Sequence, residues 1–112
     1  MRLILAICFV SLLLPNTYAQ SPQKYALLGD FKTESGGIIK NCKLGYRTIG
    51  RLNQSKSNVV VWPTWFTGTS ETVYPAVVSL IDTTGLYIII VDSFGNGVSS
   101  SPDNTTDFPE VS

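Results

Sequence analysis

Groups able to attack a carbonyl are abundant in this chain, but their usual partners are missing. Serine and threonine recur throughout, yet the 112 residues contain no histidine and no Gly-x-Ser-x-Gly turn. A serine nucleophile needs a base to take its proton, and histidine is the usual one at neutral pH, so these residues cannot assemble a Ser-His-Asp triad. Metal chemistry fares no better: once a leader is removed, one cysteine and scattered carboxylates are all that remains to ligate. What can still do chemistry is backbone. In Asn58 to Ser70, read NVVVWPTWFTGTS, a short β-branched run ending at Trp62 breaks at Pro63 into a loop of threonines, aromatics and one glycine. A loop leaving the carboxyl end of a strand in an open α/β sheet carries unpaired amides on a rigid support. Such amides, braced by bulky neighbours, suit the stabilisation of a developing oxyanion. The simpler alternative is that Trp65 and Phe66 pack beneath a neighbouring loop.

The elements that position this loop follow from periodicity. Tyr25 to Glu34 alternates, with Tyr25, Leu27 and Phe31 on one face. Ser35-Gly36-Gly37 punctuates, and a second strand is expected from about Ile38 to Ile49, with Cys42, Leu44 and Tyr46 opposite Lys43 and Arg47. Two alternating runs about such a turn predict an antiparallel hairpin. Val59–Trp62 and Leu86–Val91 do not alternate, which predicts strands covered on both faces. Between them, Ser70–Thr84 is expected to hold a helix, with Pro75 in its first turn and Gly85 as its stop. Strand, helix and strand in this order predict a parallel βαβ unit. After Val91 the chain is polar, and no further core element is expected there. Gly95-x-Gly97-x-x-Ser100 follows a strand but lacks the third glycine of a dinucleotide fingerprint, and Pro102 stops a helix from growing out of it. It is read as a glycine-rich turn, and no cofactor is expected.

Residues 1–19 have the layout of a secretory signal peptide: Arg2, an apolar run from Leu3 to Leu14, and small residues at Thr17 and Ala19 before a cut ahead of Gln20. The run falls short of the ~20 residues a spanning helix needs, which argues against an anchor. The mature chain, residues 20–112, is long enough for one small domain and is expected outside the cell without membrane attachment. Its near-neutral charge balance excludes nucleic acid as a natural partner. All seven of its basic residues lie between Lys24 and Lys56. Cys42, alone after leader removal, is expected to be a small buried residue on a strand. Two Asn-x-Ser/Thr triplets, at Asn53 and Asn104, fall in polar turn-like stretches and are candidate glycosylation acceptors.

Four ordered segments carry a resemblance beyond these patterns. They are Leu28-Gly29-Asp30-Phe31-x-x-Glu34-Ser35-Gly36, Leu44-Gly45-Tyr46-Arg47-Thr48-Ile49-Gly50-x-Leu52-Asn53, the Asn58–Ser70 stretch, and Asp92-Ser93-Phe94-Gly95-Asn96-Gly97-Val98-Ser99-Ser100-Ser101-Pro102. Together they resemble the amino-terminal part of the homoserine O-acetyltransferase-like branch of the α/β-hydrolase superfamily. The resemblance implies an α/β fold: an antiparallel β-hairpin followed by a parallel β-α-β unit, as in the amino-terminal part of an α/β-hydrolase, with the rest expected beyond Ser112. It implies that the loop after the third strand lends a backbone N–H to an oxyanion hole, with Phe66 the leading donor and Trp65 the next. It also implies a small-molecule ester or acyl donor as substrate. Acetyl-CoA serves some members, although export argues against it here. Members with acetyltransferase activity tend to begin this loop with histidine. Thr64 stands there instead, which points away from homoserine. The other class of function to weigh is a secreted binding domain, or the product of a partial gene, without catalysis.

Overall fold

A computed structural model describes residues 21–110; the proposed leader lies outside the described residues. Four strands and one helix follow in the order β1 (Lys24–Lys32), β2 (Ile38–Ile49), β3 (Val59–Pro63), α1 (Ser70–Leu80) and β4 (Tyr87–Val91). They form one sheet ordered β1-β2-β4-β3, with β1–β2 and β2–β4 antiparallel and β3–β4 parallel. The hairpin and the βαβ unit are both present as expected.

The hairpin departs from simple alternation. Gly29 (φ +66) and Asn41 (φ +45) sit at two register shifts, one on each strand, that compensate each other. Asp30 spans the irregularity: its carboxylate accepts the Asn41 N–H at 3.1 Å and the Lys40 ammonium at 2.7 Å. A bulge advances the side-chain phase by one residue, which is why Ile39 and Cys42, an odd and an even position, are both fully buried on β2. The Ser-Gly-Gly turn closes through Thr33 N–H to the Gly37 carbonyl, with Gly36 at φ +93.

The core is formed by one face of the helix on one face of the parallel pair. Val73 and Val77 of α1 meet Ile88 and Ile90 of β4, with Ile49, Val60, Trp62, Tyr74, Ile81 and Leu86 around them. The expectation that β3 and β4 are covered on both faces holds on this side alone. Val61, which points the other way, is 61% exposed among the described residues.

Helix α1 begins five residues earlier than Pro75 suggested, because Thr69 and Thr72 form a reciprocal cap. The Thr69 hydroxyl accepts the Thr72 N–H while the Thr72 hydroxyl accepts the Thr69 N–H. A threonine at the third helical position does here what glutamate or glutamine usually does. Pro75 therefore lies inside the helix, and the helix stops at Leu80, with Ile81 as its cap and Gly85 four residues beyond. The polar segment after β4 is also more structured than its composition suggested. It forms no strand, but Ser99, Ser100 and Ser101 are among the most buried residues, and Ser100 exchanges hydrogen bonds with the backbone of Lys43 on β2.

Candidate functional site

The carboxyl ends of β3 and β4 are joined by Thr64 and Ser93. The Thr64 N–H donates to the Val91 carbonyl, which carries the parallel ladder one residue past the strand. The Ser93 N–H donates to the Thr64 hydroxyl, that hydroxyl donates to Ser93 Oγ, and Ser93 Oγ donates to the Thr64 carbonyl, each at 3.1 Å. Thr64 is 6% exposed, so this knot is shielded and holds the start of the loop against the sheet.

Beyond the knot the chain turns sharply, with the Gly68 N–H returning to the Trp65 carbonyl at 2.9 Å. In a turn closed this way the two central amides take no part in the closing bond. Phe66 is the first central residue. Its N–H, like that of Trp65, has no hydrogen-bond partner among the described residues, and its side chain is 98% exposed. The Trp65 ring lies beside Gly68 and is about half exposed. A Cβ at Gly68 would lie 2.7 Å from Val73 Cγ2 and 2.8 Å from Trp65 Nε1, so only glycine lets the turn sit this close. The loop thus joins a buried anchor to an outward-facing amide.

A second cluster, which sequence reasoning missed, supports the loop from behind. Asp92 directly follows β4 and is fully buried. One carboxylate oxygen accepts the Ser70 N–H at 2.6 Å and the Asn96 side-chain amide at 3.0 Å. The other accepts the Ser70 hydroxyl at 2.7 Å and the Gln23 amide at 3.0 Å. Ser70 opens α1, so the carboxylate also faces the positive end of the helix. Asn96 donates in addition to the Gly68 carbonyl at 3.3 Å, and its own carbonyl collects the N–H groups of Val98 and Ser99. Gly45 makes room, since a Cβ there would lie 2.8 Å from the Asp92 carboxylate. A charged residue directly after an apolar run was the available signal. Its partners, from Gln23 to Asn96, are too scattered in sequence to be read from spacing.

Other nucleophilic and ligating groups are held in structural contacts or stand apart. Ser21 and Lys24 have the spacing of a serine–lysine pair, but Lys24 Nζ donates to the Thr48 hydroxyl and Ser21 Oγ accepts the Thr48 N–H. They do not meet. Cys42 is a free thiol buried on β2, as expected, and burial pushes its pKa up while Ser100 partly opposes the shift. Among the described residues no cluster of His, Cys, Asp or Glu could hold a metal ion, and no helix is long and apolar enough to cross a membrane. Asn53 and Asn104 both lie in exposed turns.

No family model matches the chain. A probable esterase of Corynebacterium glutamicum is 40% identical over 91 residues, covering 79% of this chain and 26% of the relative. Homoserine O-acetyltransferase of Ascobolus immersus is 31% identical over 92 residues, covering 76% and 17%. Among solved structures, an acetylester hydrolase from Corynebacterium glutamicum superposes with a TM-score of 0.70 at 38% identity, over 80% of this chain and 29% of that one. The chain therefore spans roughly a quarter or less of the curated relatives named here. Likeness in both sequence and structure makes the chain a member of the α/β-hydrolase superfamily, in its homoserine O-acetyltransferase-like branch.

Proposed function

We propose that this chain is the amino-terminal portion of a secreted, serine-dependent ester hydrolase or acyltransferase, and that it supplies the oxyanion-hole loop of that enzyme. The observation that carries the reading is the Trp65–Gly68 turn, anchored through buried Thr64 and presenting the Phe66 N–H without a partner among the described residues. A donor held by the fold before the reaction begins costs no reorganisation when negative charge develops on a carbonyl oxygen. The nucleophilic serine, the acid and the histidine belong to sequence beyond Ser112, so the chain is inactive alone. The substrate is a small ester. Hydrolysis is favoured over transfer to homoserine by the esterase relatives and by Thr64 at the head of the loop.

Residues 20–112 by themselves are poorly folded or aggregation-prone in this reading. Leu27, Val61, Phe66 and Leu80 are each more than half exposed among the described residues, more apolar surface than a small domain leaves to water without a use for it. A second reading, a secreted binding domain without catalysis, draws on the absence of histidine and of a Gly-x-Ser-x-Gly turn.

Two measurements separate them. The coding sequence downstream of Ser112 should encode Gly-x-Ser-x-Gly, then an acid and a histidine; a stop codon directly after Ser112 defeats the enzyme reading for this chain. Assayed with p-nitrophenyl acetate, residues 20–112 should give no turnover above buffer, and saturable turnover would defeat the claim of inactivity.

A further inference from the structure

The two Asn-x-Ser/Thr triplets differ in the number of amide hydrogens they have to spare. Asn53 Nδ2 donates one hydrogen bond, to Ser57 Oγ at 2.9 Å. Its carbonyl accepts the Ser57 N–H at 2.9 Å and the hydroxyl of Ser55, the third residue of its own triplet, at 3.4 Å. One Nδ2 hydrogen is left without an acceptor among the described residues. Asn104 has none left. Its Nδ2 donates to the carbonyls of Gly97 at 3.2 Å and Ser99 at 3.0 Å, and its carbonyl accepts the Ser101 N–H at 2.9 Å. The hydroxyl on that carbonyl, at 2.8 Å, belongs to Thr105 and not to Thr106, the third residue of the triplet.

We propose that Asn53 carries an N-linked glycan and that Asn104 does not, serving instead as the clamp that closes the loop from Gly97 to Ser101. The inference rests on entry into a secretory pathway. In the modification, the anomeric carbon of a lipid-linked oligosaccharide diphosphate forms a bond to Nδ2. The carbon–oxygen bond to the diphosphate breaks, the lipid diphosphate leaves with the electron pair, and Nδ2 gives up one hydrogen as a proton. The product amide keeps a single N–H. At Asn53 that N–H still reaches Ser57. At Asn104 one of the two carbonyls loses its donor, and a sugar ring must fit where the loop closes on the side chain. Ser99 and Ser101 are fully buried and Ser100 nearly so, so a loop held open there does not return to its place on β2.

The test is expression of the enzyme that joins this segment to a nucleophile in a eukaryotic secretory host, in one arm with its own leader and in another with a heterologous leader replacing residues 1–19. Secreted and cell-retained chains are digested with N-glycosidase in ¹⁸O water, and labelled aspartate is mapped by mass spectrometry. The expected result is label at position 53 and none at 104 in the secreted chain. Ser55→Ala should abolish the glycan mass shift. Thr106→Ala, which destroys the second triplet but leaves the Asn104 amide, should change neither the shift nor the secreted yield. Label at 104 confined to the retained pool is what a glycan that blocks folding would give, and supports the inference. Label at 104 in the secreted chain, or an unlabelled Asn53 in the heterologous-leader arm, overturns it. Label at 53 in that arm alone upholds the choice of Asn53 while rejecting the native leader as an export signal.

Discussion

Ser70 gives both its N–H and its hydroxyl to the buried carboxylate of Asp92, at 2.6 and 2.7 Å, joining the first residue of α1 to the residue just after β4. Because Asn96 connects the same carboxylate to the Gly68 carbonyl, the tie reaches the back of the Trp65–Gly68 turn by two routes. Asp92→Ala leaves four donors around an emptied site. Each buried donor left unpaired costs about 1–3 kcal/mol, so a loss of at least ~2 kcal/mol is expected even after relaxation. Cleavage of a transiently opened chain follows its open population, so limited proteolysis within this segment, measured in the enzyme that joins it to a nucleophile, should accelerate by more than about tenfold. Asp92→Asn keeps an acceptor and should lie between the two.

Thr64→Val should isolate the knot between the two strand ends. The change is close to isosteric, yet it removes the acceptor of the Ser93 N–H and the donor to Ser93 Oγ. A loss of about 1–2 kcal/mol is expected by the same protease assay, with Thr64→Ser restoring most of it. If Val and Ser behave alike, the knot does not hold the loop.

The proposed oxyanion donor has an unusually clean probe. Phe66 follows the residue whose carbonyl closes the turn, the position at which proline is favoured, and its φ is not positive. Phe66→Pro thus deletes the amide hydrogen while sparing the turn. Measured in the enzyme that joins this segment to a nucleophile, kcat should fall by about 10²–10³ with little change in KM. Phe66→Ala removes only an exposed ring and should leave both within about twofold, as surface substitutions usually shift stability by no more than ±0.5 kcal/mol.

How far these features could be read beforehand depended on how local their causes are. The hairpin, the βαβ unit and the Ser-Gly-Gly turn rest on periodicity and punctuation within a dozen residues, and all were legible. The start of α1 was not, because Thr69 and Thr72 cap it with a pair of residues less familiar than serine and glutamate, while Pro75 drew attention to a later turn. The hairpin's two bulges shift the phase of its buried face through Gly29 and Asn41, whose backbone conformations alternation does not reveal. Asp92 was hidden for another reason. Its significance lies in contacts with Gln23 and Ser70, 69 and 22 residues away, and nothing in the polar run after Val91 announces that its serines are core.

Pro75 gives a stabilising counterpart to these losses. It lies inside α1, where it cannot donate the amide hydrogen bond of a helical residue. Pro75 is exposed. Pro75→Ala should stabilise the helix by about 1–3 kcal/mol, seen as greater helical ellipticity and slower proteolysis. No gain, or a loss, would mean that the proline sets a bend on which the Val73 and Val77 packing depends.

Cys42 gives the fold a sensitivity to alkali. Burial raises its thiol pKa above the ordinary value, with the Ser100 hydrogen bond acting in the opposite direction as the smaller influence. The folded chain therefore keeps its proton to a higher pH than the unfolded chain does. The stability this contributes is fully present below the ordinary thiol pKa and is lost as pH rises through the raised folded value, since the unfolded thiol ionises first. Resistance to proteolysis should decline above about pH 9 and the decline should be shallower in Cys42→Ala, which removes one titrating group at the cost of a small cavity. Iodoacetamide should modify the native thiol far more slowly than the urea-unfolded one at the same pH, because the reactive thiolate is both scarce and shielded. Equal rates would show that Cys42 is accessible and that β2 opens readily at its centre.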